Sequence, residues 1–382
     1  SYQLYDNEEL ENVLKYNPFS FLHILNPGYK FSHSLLGQER FAMVRNRYNE
    51  FKDEKHLLQD PNPAFYLYEN ATYKHSYTGI IAAAAVADSL NGKIKKHEDT
   101  LQHRVELFKD YLNTVGFNAE PVLLTYPDNT AVNEVIASVK QQNPVYDFET
   151  LDKVNHRLWV IDNPATISVL EDAFATMPEL FIADGHHRTS SSELLAQEQQ
   201  GDSYQYFMSY IIAESQLQIT EFNRLIKDLN GLSKEEFLIK LDMVFRIQNR
   251  GLEIYKPSKK HHFSMYLDGD FYSLYLRKEL LKPKSIIDEL DTQLLYDTVL
   301  NPVLGIADLR NDDRIDYSSG VDDLLRMKMR VDSGEFSVGF GLVPVHVDEL
   351  KAIATADLRM PPKSTYIRPK LPSGLTIYQF ES

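Results

Sequence analysis

The chain contains no cysteine. Disulfides, thiolate zinc sites and cysteine nucleophiles are therefore excluded. Basic residues are in deficit: 40 Lys and Arg stand against 55 Asp and Glu, a formal charge of −15. Surfaces that neutralise nucleic-acid phosphates have the opposite balance, so no nucleic-acid partner is expected, although a local basic pocket remains compatible with the composition. Long apolar runs are missing too. The most apolar segment, GIIAAAAVADSL (79–90), falls short of the roughly 18 residues a spanning helix needs, and no membrane partner is expected. No secretory leader is visible at Ser1, so the expected location is cytoplasmic. Finally, there is no G-x-x-x-x-G-K-[ST], no G-x-G-x-x-G and no G-x-S-x-G. The P-loop, dinucleotide-binding and nucleophile-elbow readings lack the residues that define them.

What is present is the pattern of a globular protein of 382 residues, 43% hydrophobic and 25% charged, long enough for two or three domains. Strand and helix patterns alternate. Alternating or continuous apolar residues predict strands over 63–73, 77–86, 156–162, 179–184, 204–214 and 336–345. Helical spacing predicts helices over 98–116, with Gly116 as the stop, and over 131–142, 164–177, 188–200, 232–247 and 285–300. Segment 261–278 reads as a hairpin turned at Asp268-Gly269. The four prolines between Met360 and Leu375 rule out a long helix or a central strand there. The expected fold class is α/β to α+β, with mixed sheets. The expected division is an N-terminal α/β segment (1–90) packing on a core (91–230), followed by a C-terminal α/β domain (231–382).

Polar chemistry concentrates in ADGHHRT (183–189). A buried strand running into a helix through Asp184-Gly185 places this loop at a helix N-terminus, where backbone N–H groups favour anions. Gly185 allows close backbone approach or positive φ. Arg188 can grip phosphate or carboxylate through two N–H groups. Asp184 can hold Mg²⁺, orient a hydroxyl or simply cap the helix. His186 and His187 point to different sides and are expected to do different jobs.

Two further clusters accompany the loop. In KIKKHEDTLQHR (93–104), Glu98 and Asp99 are expected at a helix start, with Glu98 able to serve as general base beside His97. The spacing is not H-E-x-x-H; a metal site from His97, His186 and Asp184 can be drawn, but nothing in the spacing demands it. In MPPKSTYIRPKLPSGL (360–375), prolines stiffen a segment carrying Lys363, Ser364 and Lys370, which can present donors to an anion or remain a solvated turn.

These residues carry a resemblance. NPFSFLHILNP (17–27), KKHEDT (95–100), HRLWVIDNP (156–164), FIADGHHR (181–188), VDSGEF (331–336) and MPPKSTYIRPKLPSGL resemble, in order, the blocks of the bacterial and archaeal family known as domain of unknown function 1015. More distantly, the His-Glu pair before a helix and the DGHHR loop are similar to the ParB/sulfiredoxin superfamily and its free serine kinases. That resemblance implies a ParB/sulfiredoxin-like core. It implies Glu98 as the base that deprotonates a hydroxyl. It also implies phosphate and metal binding around Asp184, His186, His187 and Arg188, with Gly185 at the point of close approach. The chain departs from the pattern: Lys96 replaces the usual Pro, Asn223-Arg224 the usual His-Arg, and Arg368 an acid.

The expected function is phosphoryl transfer from ATP or ADP, with Mg²⁺, to a small serine-like hydroxyl metabolite. Asp184, His187 and Glu98 would be catalytic. Gly185, His186, Arg188, His97, Lys363, Ser364 and Lys370 would bind substrate or phosphate. The alternatives are a phosphatase or nucleotide hydrolase at the same site, and a non-catalytic nucleotide-binding switch.

Overall fold

Val122–Tyr126 offers no polar face to solvent: all five residues are buried, as an interior strand requires. It is one strand of an eight-stranded mixed sheet. The computed structural model describes residues 7–31, 37–150, 152–319 and 323–380. The chain forms two units, one from 1–96, 100–217 and 369–382, the other from 97–99 and 218–368.

The strands of the first unit are β1 (Phe65–Ala71), β2 (Ser76–Ala85), β3 (Ile94–Lys95), β4 (Phe117–Asn118), β5 (Val122–Tyr126), β6 (Tyr146–Glu149), β7 (Asn155–Ile161), β8 (Leu180–Asp184) and β9 (Tyr206–Ala213). The large sheet runs β3-β8-β5-β9-β2-β1-β7-β6. Only β3/β8 and β5/β9 are parallel. Strands from both sides of residue 90 therefore share one sheet. Its helices are α1 (Asn7–Tyr16), α2 (Leu22–Leu25), α3 (Gly37–Asp53), α4 (Val86–Leu90), α5 (Gln102–Val115), α6 (Thr130–Val139), α7 (Pro164–Thr176) and α8 (His186–Glu198). Local sequence sets several of their ends. Asn129 and Asn163 cap α6 and α7 through their side chains, Pro164 occupies the first turn of α7, and Gly116 closes α5 at φ +79°. Leu67, Ile80, Val122, Leu124, Trp159, Leu170 and Ile182 lie in the main core.

The second unit contains β10 (Gln218–Thr220), β11 (Asn223–Ile226), β12 (Phe245–Gly251), β13 (His262–Leu267), β14 (Asp270–Leu276), β15 (Ile315–Ser318), β16 (Val338–Gly341) and β17 (Tyr366–Arg368). Six of these form an antiparallel sheet, β12-β14-β13-β16-β11-β15, while β10 pairs with β17. Asp268 (φ 48°) and Gly269 (φ 86°) both take positive φ, as a two-residue type I′ turn needs. Its helices are α9 (Lys234–Asp242), α10 (Asp291–Leu295), α11 (Asp323–Asp332) and α12 (Val347–Thr355).

Four helices differ most in their ends from the sequence expectation. The helix expected from residue 98 starts at Gln102, so Glu98 and Asp99 precede it rather than occupying its first turn. The helix expected from 188 starts at His186. The helix expected over 232–247 starts in a Ser233–Glu236 capping box but ends at Asp242, because Phe245 onward pairs with β14. The expected helix 285–300 is broken into a 3₁₀ turn (Ile287–Glu289), α10 and a π turn (Tyr296–Leu300). Pairing and packing outweigh apolar spacing at these ends.

Candidate functional site

The loop after β8 is built by its own charges. Leu180–Ala183 are buried, and the chain leaves the sheet at half-buried Asp184. Gly185 is the N-cap of α8 at φ +110°. Asp184 is therefore not the cap. Its Oδ2 accepts from Arg188 Nη2 at 2.7 Å, and its Oδ1 accepts from Lys370 Nζ at 2.9 Å. Burial alone would raise the Asp184 pKa; Arg188 and Lys370 outweigh it and hold the carboxyl below the usual range. Arg188 Nη1 also donates to the Pro121 carbonyl. A Cβ on Gly185 would lie 3.1 Å from the Arg188 guanidinium. The close approach that selects glycine here is thus the arginine side chain folding back over the turn, on top of the positive φ.

The tail supplies the second cation by docking on the same turn that Arg188 reaches. Gly374 N–H donates to the Ala119 carbonyl at 3.0 Å, and Ser373 Oγ donates to Glu120 Oε1 at 2.6 Å. A short strand, Tyr378–Gln379, pairs with β4. Lys370 is thereby fixed beside Asp184. Two cations and one carboxylate give a net positive cluster at the N-terminus of a 13-residue helix whose N-cap has no side chain. Both Asp184 oxygens already face cations, so the carboxylate does not fit the expected role of Mg²⁺ ligand in this arrangement.

The two histidines differ in burial, His187 being only half-buried. His186 is buried. His187 Nε2 accepts the Leu101 N–H at 3.0 Å, just before α5. That bond assigns His187 the neutral tautomer with the proton on Nδ1. The serines that follow are packing groups. Ser191 Oγ bonds the His187 carbonyl at 2.7 Å and the Val105 carbonyl at 3.0 Å, while Ser192 Oγ bonds the Arg188 carbonyl at 3.0 Å. Small hydroxyl residues that return their bond to the previous turn let α5 and α8 approach closely.

One polar group escapes sequence reading. Glu193 is buried and accepts from Ser89 Oγ at 2.5 Å, while Lys96 Nζ lies 2.7 Å from both its oxygens. The only sequence signal is Lys96 itself, standing where the resembled pattern has proline. Lys96 is partly exposed and Glu193 buried, so removing the lysine strands a buried carboxylate. Lys96→Met is therefore expected to cost roughly 3 kcal/mol. Thermal denaturation should show Lys96→Met plus Glu193→Gln recovering part of that loss; a single variant as stable as the parent would contradict it.

His97, Glu98, Lys363 and Ser364 belong to the second unit. His97 is buried, and its carbonyl accepts the Met360 N–H at 2.8 Å. Lys363 takes φ +56° and lies with Nζ 5.3 Å from the Phe222 ring centre. Ser364 is buried and donates to the Pro361 carbonyl at 2.7 Å. It is a loop pin in this structure. Asn223-Arg224 is equally structural. Asn223 Nδ2 donates to Asp323 at 2.9 Å, and Arg224 Nη2 donates to the Lys363 carbonyl at 3.2 Å. Burial pushes the Arg224 guanidinium down to about 10.

The family described as protein of unknown function (DUF1015) matches residues 1–293. The chain belongs to this family. The match places the DGHHR loop and the His97-Glu98 pair of this DUF1015 chain inside the family region, and the Pro-rich tail beyond it. No curated protein matches it. Among solved structures it is similar to SbnI with a C-terminal truncation from Staphylococcus aureus, at 12% identity and TM-score 0.39, covering 75% of this chain and 82% of that one. It is similar to a conserved hypothetical protein from Pyrococcus furiosus, at 13% identity and TM-score 0.38, covering 77% and 93%. It is also similar to a free serine kinase variant in complex with ADP, at 13% identity and TM-score 0.37, covering 75% and 87%. No helix among the described residues is long and apolar enough to cross a membrane.

Proposed function

We propose that this protein binds a nucleotide through its phosphates at the N-terminus of α8 and transfers a phosphoryl group to a small hydroxyl metabolite of the serine type. The observation that carries the reading is the convergence of Arg188 and Lys370 on Asp184 at that helix start. An incoming phosphate competes with the carboxylate for both cations and gains the helix dipole as well. Phosphoryl transfer asks a protein mainly for positioned charge and for a group that takes the hydroxyl proton. Glu98 is proposed as that group; in the chain it stands three residues before Leu101, whose N–H His187 holds. Magnesium would arrive with the nucleotide phosphates as part of the substrate, without Asp184 as a ligand.

The test is a thermal-shift series with ATP, ADP and AMP, each with Mg²⁺ and with or without L-serine, followed by product analysis. A ligand at about 100 times its Kd stabilises the native state by roughly 2.7 kcal/mol. Arg188→Ala and Lys370→Ala are each expected to abolish the shift, with calorimetry confirming lost binding where a variant is itself less stable. An undiminished shift in both variants would overturn the phosphate assignment. Nucleotide hydrolysis without an acceptor would reassign the site to a hydrolase, and binding without turnover to a nucleotide-dependent switch.

A further inference from the structure

The short segment His97–Asp99 is fixed from both sides within the second unit, to which it belongs. On one side, the Met360 N–H donates to the His97 carbonyl at 2.8 Å. On the other, Arg310 Nη2 donates to the Asp99 carbonyl at 3.4 Å, and Arg359 Nε lies 3.7 Å from the Asp99 carboxylate. Glu98 is the single residue between these anchors.

The loop that presents the Met360 N–H is itself braced. Pro361 and Pro362 restrict its backbone. Ser364 Oγ closes it on the Pro361 carbonyl at 2.7 Å and meets Thr292 Oγ1 at 3.2 Å. Arg224 Nη2 holds the Lys363 carbonyl at 3.2 Å, and Lys363 sits at φ +56°, a conformation that such surroundings must enforce. The MPPKST stretch is thus a rigid bracket.

We propose that the 218–368 portion of the second unit serves as the holder of the Glu98 segment within that unit, with Arg310 and Arg359 as positioning residues and the Met360–Ser364 bracket as the fixed point. The assignment of a catalytic consequence rests on Glu98 being the base proposed above. The anchoring itself does not. A carboxylate on an untethered three-residue stretch samples many positions; tethering both neighbours leaves only its side-chain torsions. Misplacing a reacting group by about 1 Å costs on the order of 100-fold in rate. A surface arginine far along the chain can therefore matter to chemistry without touching substrate.

The experiment uses the full chain carrying Arg310→Ala with Arg359→Ala. Ser364→Ala serves as an independent route that leaves both arginines in place, and Arg359→Lys as the conservative control. Hydrogen exchange of the 97–101 peptide should rise at least about fivefold in the double variant and in Ser364→Ala, with β13 and β16 unchanged, since local opening is independent of global stability. With MgATP and L-serine, kcat should fall at least about tenfold, while KM for MgATP stays within about twofold. Arg359→Lys should retain most of the rate. Unchanged exchange in 97–101 would overturn the anchoring, whatever the activity. Raised exchange with kcat preserved would overturn the positioning role. Glu98→Gln measured in parallel separates the two ideas: if it keeps full turnover, or if the parent turns over nothing, the base assignment fails while the exchange result still decides the anchoring.

Discussion

Replacing Glu98 with glutamine is expected to lower turnover of MgATP with a hydroxyl acceptor by at least about 100-fold, the range typical of removing a general base. Nucleotide binding should survive, because the phosphate grip is proposed to come from Arg188, Lys370 and the α8 N-terminus. Glutamine keeps the shape and a hydrogen-bonding carbonyl but cannot take a proton. The pairing of intact binding with lost turnover is the signature to look for. Full turnover in Glu98→Gln would remove the base assignment; lost binding would mean that the residue shapes the nucleotide site instead.

The second large effect concerns stability. Asp291 is buried at the start of α10, where its Oδ1 accepts the His261 N–H at 2.8 Å and its Oδ2 is buried without a partner. Burial pushes its carboxyl up to about 7; Glu349 adds to the rise, and the His261 N–H and Lys260 only partly oppose it. Lys260 and Glu349 are paired with one another, which leaves little net positive charge for Asp291. Burial and Lys260 lower the pKa of His261, beside it. The linkage has a definite sign. Between about pH 4 and pH 7 the folded state keeps a proton that the unfolded state has released, so stability falls as pH rises through that window and is flat above it. Holding a carboxyl near 7 instead of near 4 corresponds to roughly 4 kcal/mol, an upper figure for a single site. Asp291→Asn retains the acceptor for His261 and removes the charge. It should match the parent near pH 4 and exceed it at pH 8 by a few kcal/mol, on the order of 5–10 °C in Tm for a unit of this size. Melting curves of both proteins at pH 5, 6, 7 and 8 provide the check. A constant difference across that series would show that Asp291 is ionised throughout.

The two predictions separate what patterning reveals from what it conceals. The DGHHR loop stands out in sequence because a buried strand ends in it and a helix begins. Its internal pairing follows from local spacing, since residues four apart on a helix start face one another, as Asp184 and Arg188 do. Asp291 gives no such signal. Its sequence neighbours read as an amphipathic helix start, where an acid is ordinary; only the packing around it pushes the carboxyl pKa up. The same holds for Glu193, an unremarkable helix acid until Lys96 and Ser89 close on it.

The errors have the same origin. Apolar spacing predicts a helix through 247, but Phe245 through Gly251 find β14 as a partner, and a ladder of cross-strand bonds outweighs a weak local preference. Spacing starts a helix at Glu98, but the neighbours of Glu98 are tied to Met360, Arg310 and Arg359, and the helix begins only after the chain is released. Ser364 reads as a candidate anion donor and is instead a buried pin, because its hydroxyl is used by the Pro361 carbonyl.

The sequence by itself determined the absence of cysteine chemistry, the mixed α/β character, the hairpin at Asp268-Gly269, the Gly116 helix stop and the loop where polar groups gather. All of these rest on interactions between residues a few positions apart, which a linear pattern can encode. Only the tertiary structure decided that Lys370 completes the Asp184–Arg188 cluster, that the MPPKST bracket holds the His97 carbonyl and that Asp291 is buried without a full set of partners. Each joins residues tens to hundreds of positions apart or depends on desolvation, and both are properties of packing that no local spacing records.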